Sequence, residues 1–561
     1  MEKRLLLAIV LSFVILLAFQ ALFLKQPAEQ KTAATVVPAE TTKVPASQTA
    51  TQPAAAPEKS AAVPADRDKT QAAKPAPAGP VVAAEREEQI TIETSLYRAV
   101  WTNKGGVLRS WKLSRYKDDQ GEPMDLVFPG PVDNNRYPFS LALDDADLAG
   151  RLNTANFVST VKSLRLADGQ KSQVRFEYAD GRGAKVEKVF TFQGGRYDFG
   201  IAINVLKDGK KVEPRVLWGP GLGVPQTPEE MKRRLASALG LAVYASGKVF
   251  RTDERRFNPQ QAAYNFVDWS AYENNYFAAL LINSGPNGAA TFLQEIKENT
   301  QPRYYLSASV PRQAFIGPKE YDLLKPLGPN TKGLLNFGFF GSIAEILLII
   351  IRFIHTFIPN WGFAIIVLTF VIKIIFFPLT YSSTKSMAKM QEIQPKIKAL
   401  RSKYKNAKRD IAQRRAMNEE MMKLYKEHGI NPAGGCLPMI IQIPVFWGLF
   451  RMLVVAVEFR HSPFIFWIKD LSLKDPTYIT PILMGATQFI SQKMTPTGAD
   501  PAQARMMLIM PVVMTIFFMN FQSGLVLYWL TSNVLQIGQQ YIMNRMMLNK
   551  KRESNENRRN K

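Results

Sequence analysis

Residues 360–380 read NWGFAIIVLTFVIKIIFFPLT, an apolar run long enough to cross a bilayer with a single lysine, Lys373, inside it. An ammonium in hydrocarbon costs ~2.5–3.5 kcal/mol on the insertion scale, so such a residue usually faces a bundle interior or a wet cavity. The competing account is snorkelling. Lys373 lies seven residues before Thr380, roughly 10 Å of helix, and its stem reaches part of that way. This run alone leaves both accounts open.

The rest of the chain says what surrounds that lysine. The 561 residues are 46% hydrophobic with a mean hydropathy of −0.11, too polar for a wholly embedded protein and too rich in long apolar runs for a soluble one. The net charge of +24 clusters beside apolar segments, where it fixes sidedness and attracts anionic lipid, and this argues against a direct DNA role. One cysteine, Cys436, excludes an intramolecular disulfide and a cysteine metal cluster.

The first apolar run, Leu5 to Leu24, follows Lys3 and Arg4 and lacks an A-x-A-like cleavage site, so residues 1–25 are expected to be an uncleaved membrane anchor with a cytoplasmic N-terminus. Residues 26–88, rich in Ala, Pro, Thr, Gln and Lys, cannot bury a core and read as a disordered tether. Residues 89–330 change texture to alternating stretches such as QITIETSLYRAVWT and KVEKVFTF separated by turns such as Asn103-Lys104-Gly105-Gly106, the pattern of a large all-β sandwich. The three histidines, His355, His428 and His461, all lie outside it, which removes histidine acid/base work and histidine metal ligands there.

Residues 337–358 place Ser342, Glu345, Arg352 and His355 on one helical stripe, which suits an amphipathic helix lying in the interface. The Lys373 run then crosses inward. Residues 381–432 carry 13 Lys/Arg against 5 Asp/Glu, with Met387, Met390, Ile393, Ile397 and Leu400 at helical spacing and a polar break near Asn406, as in a cytoplasmic helical hairpin. Further apolar elements follow at 434–457, 478–494, 506–521 and 525–543, the last two joined by Gln522-Ser523-Gly524. With the anchor these make six spans, and a basic tail at 546–561 puts both termini in the cytoplasm. Within the spans Thr369 shares a face with Lys373, Gln442 lies in the next span, and Thr531, Ser532 and Asn533 lie in the last. These polar groups either converge on a wet cavity or act singly as interhelical glue worth ~0.6 kcal/mol each. Frequent methionines, including Met439, Met484, Met506, Met507, Met510 and Met514, suit either surfaces that accept varied apolar partners or plain gap-filling.

TFVIKIIFFPLT, SMAKMQEIQPKI, NPAGGCLPMIIQIPVF, PILMG and SGLVLYWLTSN, in that order, resemble the YidC/Oxa/Alb family of membrane insertases. The resemblance is strong over about 340–545, and the Gram-negative layout of anchor, tether and β-supersandwich extends it over the whole chain. It implies a bacterial inner-membrane protein, 359–545 being a five-helix core around a hydrophilic groove that receives nascent membrane proteins, alone or with the Sec translocon, and releases their apolar helices into lipid. It further implies groove residues Lys373, Thr369, Gln442 and Asn533, substrate-slide contacts Phe446, Met484, Tyr528 and Trp529, and a ribosome contact through the basic loop and tail. In the family an arginine usually stands at Lys373, and a second tyrosine often stands at Trp529. A lysine keeps the charge but loses the bidentate fork.

The resemblance implies no enzyme, catalytic residue, metal or cofactor, and the residues themselves carry no G-x-x-x-x-G-K-[ST] nucleotide motif. Insertion then draws on apolar transfer of the client helix and on the membrane potential, ~2.3 kcal/mol per charge per 100 mV. Two alternatives stand beside this: a membrane-bound carbohydrate enzyme, which would need catalytic groups in the β-domain, and a polytopic transporter with a periplasmic ligand-binding domain. The transporter calls for paired broken helices, which the sequence does not display.

Overall fold

The computed structural model describes residues 80–559 apart from 224–238, 255–256, 260–261, 284, 286, 296–301, 405–409, 431–436 and 496–500. The expected anchor and nearly all of the tether, the NPAGGC stretch with Cys436, and the last two residues lie outside the described ones.

From Gln89 to Pro318 the described residues form nineteen strands in two sheets. The smaller has five strands in the order Pro123–Asp125, Val107–Lys117, Tyr97–Thr102, Gln89–Glu93 and Ser163–Arg165, and the larger has fourteen. Alternation dictates the packing. In Ala184–Gln193 every second residue is buried, so one face of the large sheet meets the small one across an aromatic core, with Trp101 against Phe190 at 4.3 Å and Tyr97 stacked on Trp111 at 3.9 Å between centroids. The Asn103–Gly106 turn is held from inside. Fully buried Lys188 donates to the carbonyls of Gly105 (2.7 Å), Gly106 (3.3 Å) and Phe139 (2.8 Å). Gly105 has φ +73°, and a Cβ there would meet Asn153 O at 2.4 Å. The expectation of an all-β region misses two helices, α1 (Ala146–Thr154), capped by Asp145, and the short α2 (Tyr321–Leu324).

At the base of this β-rich part sits a buried ionic triad. Glu273 receives Lys319 at 2.8 Å and Arg251 at 2.9 Å, and the same two cations reach out of the sheet to Leu334 O (3.0 Å) and Gly333 O (2.5 Å). Burial alone would raise the Glu273 carboxyl, but the adjacent Lys319 and Arg251 outweigh it and hold Glu273 below its ordinary value.

Eight α-helices follow among the described residues. α3 (Gly341–Phe357) buries Ala344, Leu347, Leu348 and Ile351 and leaves Ile346, Ile349, Phe353 and Phe357 exposed on another face. Two members of its polar stripe turn toward protein. Glu345 binds Lys332 and Tyr321, each at 2.9 Å, and Arg352 binds Asp322 at 2.6 Å and approaches Glu458 at 3.7 Å. The helix is shorter than the 337–358 expected, because Phe337 tucks into the core and Gly338 adopts φ +71° before the first turn. His355 then stacks on Trp361 at 3.9 Å, and Asn360 caps α4 (Trp361–Glu392) through the amide of Phe363.

α4 spans the Lys373 run and continues without a break to Glu392, with Pro378 inside it; proline has no amide hydrogen to give to the carbonyl of Ile374. The apolar stripe 387–400 therefore belongs to two helices, the end of α4 and α5 (Gln394–Lys403). α6 (Ile411–Glu427) returns beside them around Ile393, Ile397 and Ile430, with Lys403 bridging to Glu420 at 2.8 Å. α7 (Leu437–Val455), α8 (Ile479–Met494), α9 (Pro501–Phe518) and α10 (Ser523–Arg559) complete the chain. The last two differ from the runs 506–521 and 525–543: α9 starts earlier, in polar sequence, and stops at Phe518, while α10 continues past the apolar residues into the polar tail. By length and apolar composition, one helix among the described residues, α4, is sufficient to cross a bilayer; Ile441–Val455 and Leu508–Phe518 are shorter apolar stretches.

Candidate substrate groove

α4, α7, α8 and α10 carry every site residue that the sequence singles out, and each side chain has a defined place. Thr369 is buried and its hydroxyl donates to Ile365 O on its own helix at 2.6 Å, the usual back-bond of a helical threonine. Lys373, one turn on, is half-buried, and its Nζ donates to Gln536 Oε1 of α10 at 3.1 Å. Gln442 gives its amide to the Tyr528 hydroxyl at 2.9 Å. Asn533 gives its amide to Met484 O at 3.1 Å and to Thr487 Oγ1 at 3.5 Å, tying α10 to α8. The four expected groove residues thus divide: Lys373 meets α10, Gln442 bridges α7 to α10, Asn533 joins α10 to α8, and Thr369 stays on α4.

The four expected slide contacts divide too. Met484 and Tyr528 are fully buried, while Phe446 and Trp529 are half-buried and meet edge to face at 5.1 Å. The Trp529 indole donates to Gln488 Oε1 at 2.9 Å, a polar tether between α8 and α10.

Sequence reading missed Gln536 and the residues below it. Asn533, Gln536, Gln540 and Asn544 recur at spacings of three, four and four, one face of α10. Gln540 donates to Asn544 Oδ1 at 2.9 Å and Asn544 to Met494 O at 3.3 Å. Buried Gln540 Oε1, Gln539 Nε2 and Gln492 Oε1 have no hydrogen-bond partner among the described residues, so this part of the bundle holds more polar capacity than its own groups consume. The signal was present as a periodic amide stripe in an apolar helix.

The electrostatics are one-sided. Residues 361–391, 437–457, 479–494, 501–518 and 523–552 contain no aspartate or glutamate. Lys373 therefore has no acidic counter-ion on these segments, and its partner is a neutral amide. Among the described residues no group of histidine, cysteine, aspartate and glutamate could hold a metal ion.

A β-rich domain joined to apolar helices, one of which is long and apolar enough to cross a bilayer and carries Lys373 against a glutamine amide, has the make-up of a helical membrane protein. A family model described as 60Kd inner membrane protein matches residues 353–551, and one described as YidC periplasmic domain matches residues 89–350. The protein named Membrane protein insertase YidC of Geotalea daltonii is 37% identical over 564 residues, covering 98% of this chain and 100% of that one. The protein of the same name from Geobacter sulfurreducens is 40% identical over 557 residues, 97% and 98% of the two chains. A solved structure described as an active YidC insertase with its first transmembrane domain resolved aligns at a TM-score of 0.37 and 20% identity, over 82% of this chain and 94% of that one. The chain belongs to the YidC family of membrane protein insertases, inner-membrane proteins with a large periplasmic β-rich domain.

Proposed function

We propose that this chain inserts membrane proteins by accepting a client's polar segment beside Lys373 while the client's apolar helix passes into lipid, and that it does so as an insertion factor and not an enzyme. The observation that carries the reading is a lysine in an apolar span, held by a neutral glutamine, with no carboxylate in the flanking segments 361–391, 437–457, 479–494, 501–518 and 523–552. An ammonium so placed is costly unless an anion arrives from outside, and a client's acidic tail is such an anion. Exposed Phe370, Ile374, Ile375 and Phe377 of α4 give the lipid-facing flank along which an apolar helix leaves.

The architecture proposed for this work has six spans: the anchor within 1–25, then α4, α7, α8, α9 and α10 as a five-helix core in 359–545. The tether 26–88 leads to the periplasmic domain 89–330, and α3 lies in the outer interface. The hairpin 381–432 and the tail 546–561 are cytoplasmic, their basic residues meeting anionic lipid and ribosome, and the Sec translocon is a partner for larger clients. A polar site partway through the bilayer shortens the stretch over which unsatisfied backbone groups cross hydrocarbon, each costing several kcal/mol.

Purified protein in liposomes tests the reading with a short membrane protein as client and a small solute as control. Insertion without solute flux is expected, and Lys373→Ala should impair clients with acidic translocated tails most, with Lys373→Glu worse and Lys373→Arg near neutral. An equal response of acidic and neutral clients to both Ala and Glu would refute an electrostatic role for the lysine.

A further inference from the structure

We propose that Gln536 is a second donor of the groove, so that Lys373 and Gln536 together form a two-point receptor for a client carboxylate; this rests on the groove function proposed above. Geometry fixes the orientation of the pair. An ammonium has three hydrogens and no acceptor, so the glutamine atom facing it at 3.1 Å is the carbonyl oxygen. The amide nitrogen then lies on the far side of the same planar group with two hydrogens, and no hydrogen bond from it to any described residue accompanies the Lys373 contact. Lys373 likewise spends one of its three hydrogens on Gln536 and keeps two.

Both side chains are half-buried at the contact between α4 and α10, on segments that contain no carboxylate. A carboxylate has two oxygens, and a site offering an ammonium and an adjacent amide N–H supplies a hydrogen to each. An arginine makes the same two-point contact alone, through its fork. With lysine at 373 the second prong has to come from elsewhere, and Gln536 is the side chain that reaches it. Gln536 also holds the ammonium against α10, limiting the snorkelling that a free lysine would undergo.

The test measures insertion in proteoliposomes of a single-span client whose translocated tail carries two aspartates, against the same client with two asparagines, and takes the ratio of the yields. Gln536→Leu removes the amide and is expected to lower the ratio about tenfold, the weight of one hydrogen bond to a charged group. Gln536→Glu supplies an internal counter-ion and should reduce the ratio to that of Lys373→Ala. Adding Lys373→Arg to Gln536→Leu should restore it, because the guanidinium brings both prongs, and a merely structural glutamine would not be rescued this way. An unchanged ratio in Gln536→Leu, equal loss of both clients, or no rescue by arginine overturns the two-point receptor while leaving the groove function standing, provided Lys373→Ala lowers the ratio. A ratio unaffected by Lys373→Ala overturns both.

Discussion

Replacing Glu273 by alanine should destabilise the β-rich domain far more than an ordinary surface charge would. Its carboxylate lies between Lys319 at 2.8 Å and Arg251 at 2.9 Å, and the Lys319 side chain is only 3% exposed. Without Glu273 the ammonium keeps Leu334 O as a neutral partner but loses its counter-ion, and breaking a buried pair in this way costs about 3–5 kcal/mol. For a domain of this size each kcal/mol lowers Tm by about 2–4 °C, giving an expected loss of about 6–20 °C. Arg251 is partly exposed and can turn to water, so the penalty falls mainly on Lys319. Glu273→Leu combined with Lys319→Met should therefore recover most of the loss, since an apolar pair of similar volume replaces the ions. The pH response has a definite sign. The folded carboxyl sits below its ordinary value of 4.5, so its stabilisation is present above about pH 4.5 and lost as pH falls through the folded value. Parent and Glu273→Ala should accordingly converge in acid. Calorimetry of the full chain in nanodiscs measures this, and a shift under about 2 °C, or a gap that stays constant down to pH 3, would refute the argument.

A cysteine at Ser402 in a Cys436→Ser background should react only with a reagent that reaches the cytoplasm, and labelling by an impermeant periplasmic reagent would invert the proposed topology. Deleting 384–428 should abolish insertion in cells while the remaining helices stay protease-resistant; normal insertion would reduce the hairpin to a solvated loop. At Gly485 of α8 an added Cβ would lie 1.9 Å from Thr515 Oγ1 of α9. Gly485→Ala should cost about 1–3 kcal/mol by overpacking, read as lower thermal stability in detergent, and Thr515→Ala in the same chain should relieve it. Equal melting of Gly485→Ala and parent would show that the two helices separate at that point.

The large features were legible because they rest on patterns that local sequence carries. The period-2 stretch KVEKVFTF became the strand Ala184–Gln193 with alternate residues buried, and NWGFAIIVLTFVIKIIFFPLT became most of α4. The pairings were not legible, because they join residues far apart in the chain. Nothing near Glu273 points to Lys319, 46 residues on, or to Gly333, and α3's stripe does not say that Arg352 will meet Asp322. Thr369 and Lys373 do share a face, yet which way a threonine hydroxyl turns is settled by the carbonyl one turn back. Gln536 escaped for a different reason. Each polar residue of the last span is unremarkable singly, and the three-four-four spacing of Asn533, Gln536, Gln540 and Asn544 exists only as a set.

Pro378 bears on how the two ends of α4 communicate. The helix has 32 residues, about 48 Å at 1.5 Å per residue, against a hydrocarbon thickness of ~30 Å. On the proposed topology its last turns stand clear of the membrane as the first arm of the basic hairpin. A proline five residues after Lys373 is a fulcrum in an otherwise stiff rod, since the missing hydrogen bond lets the helix bend there. On that topology a load on the hairpin would swing this cytoplasmic arm about Pro378 relative to the lysine-bearing segment.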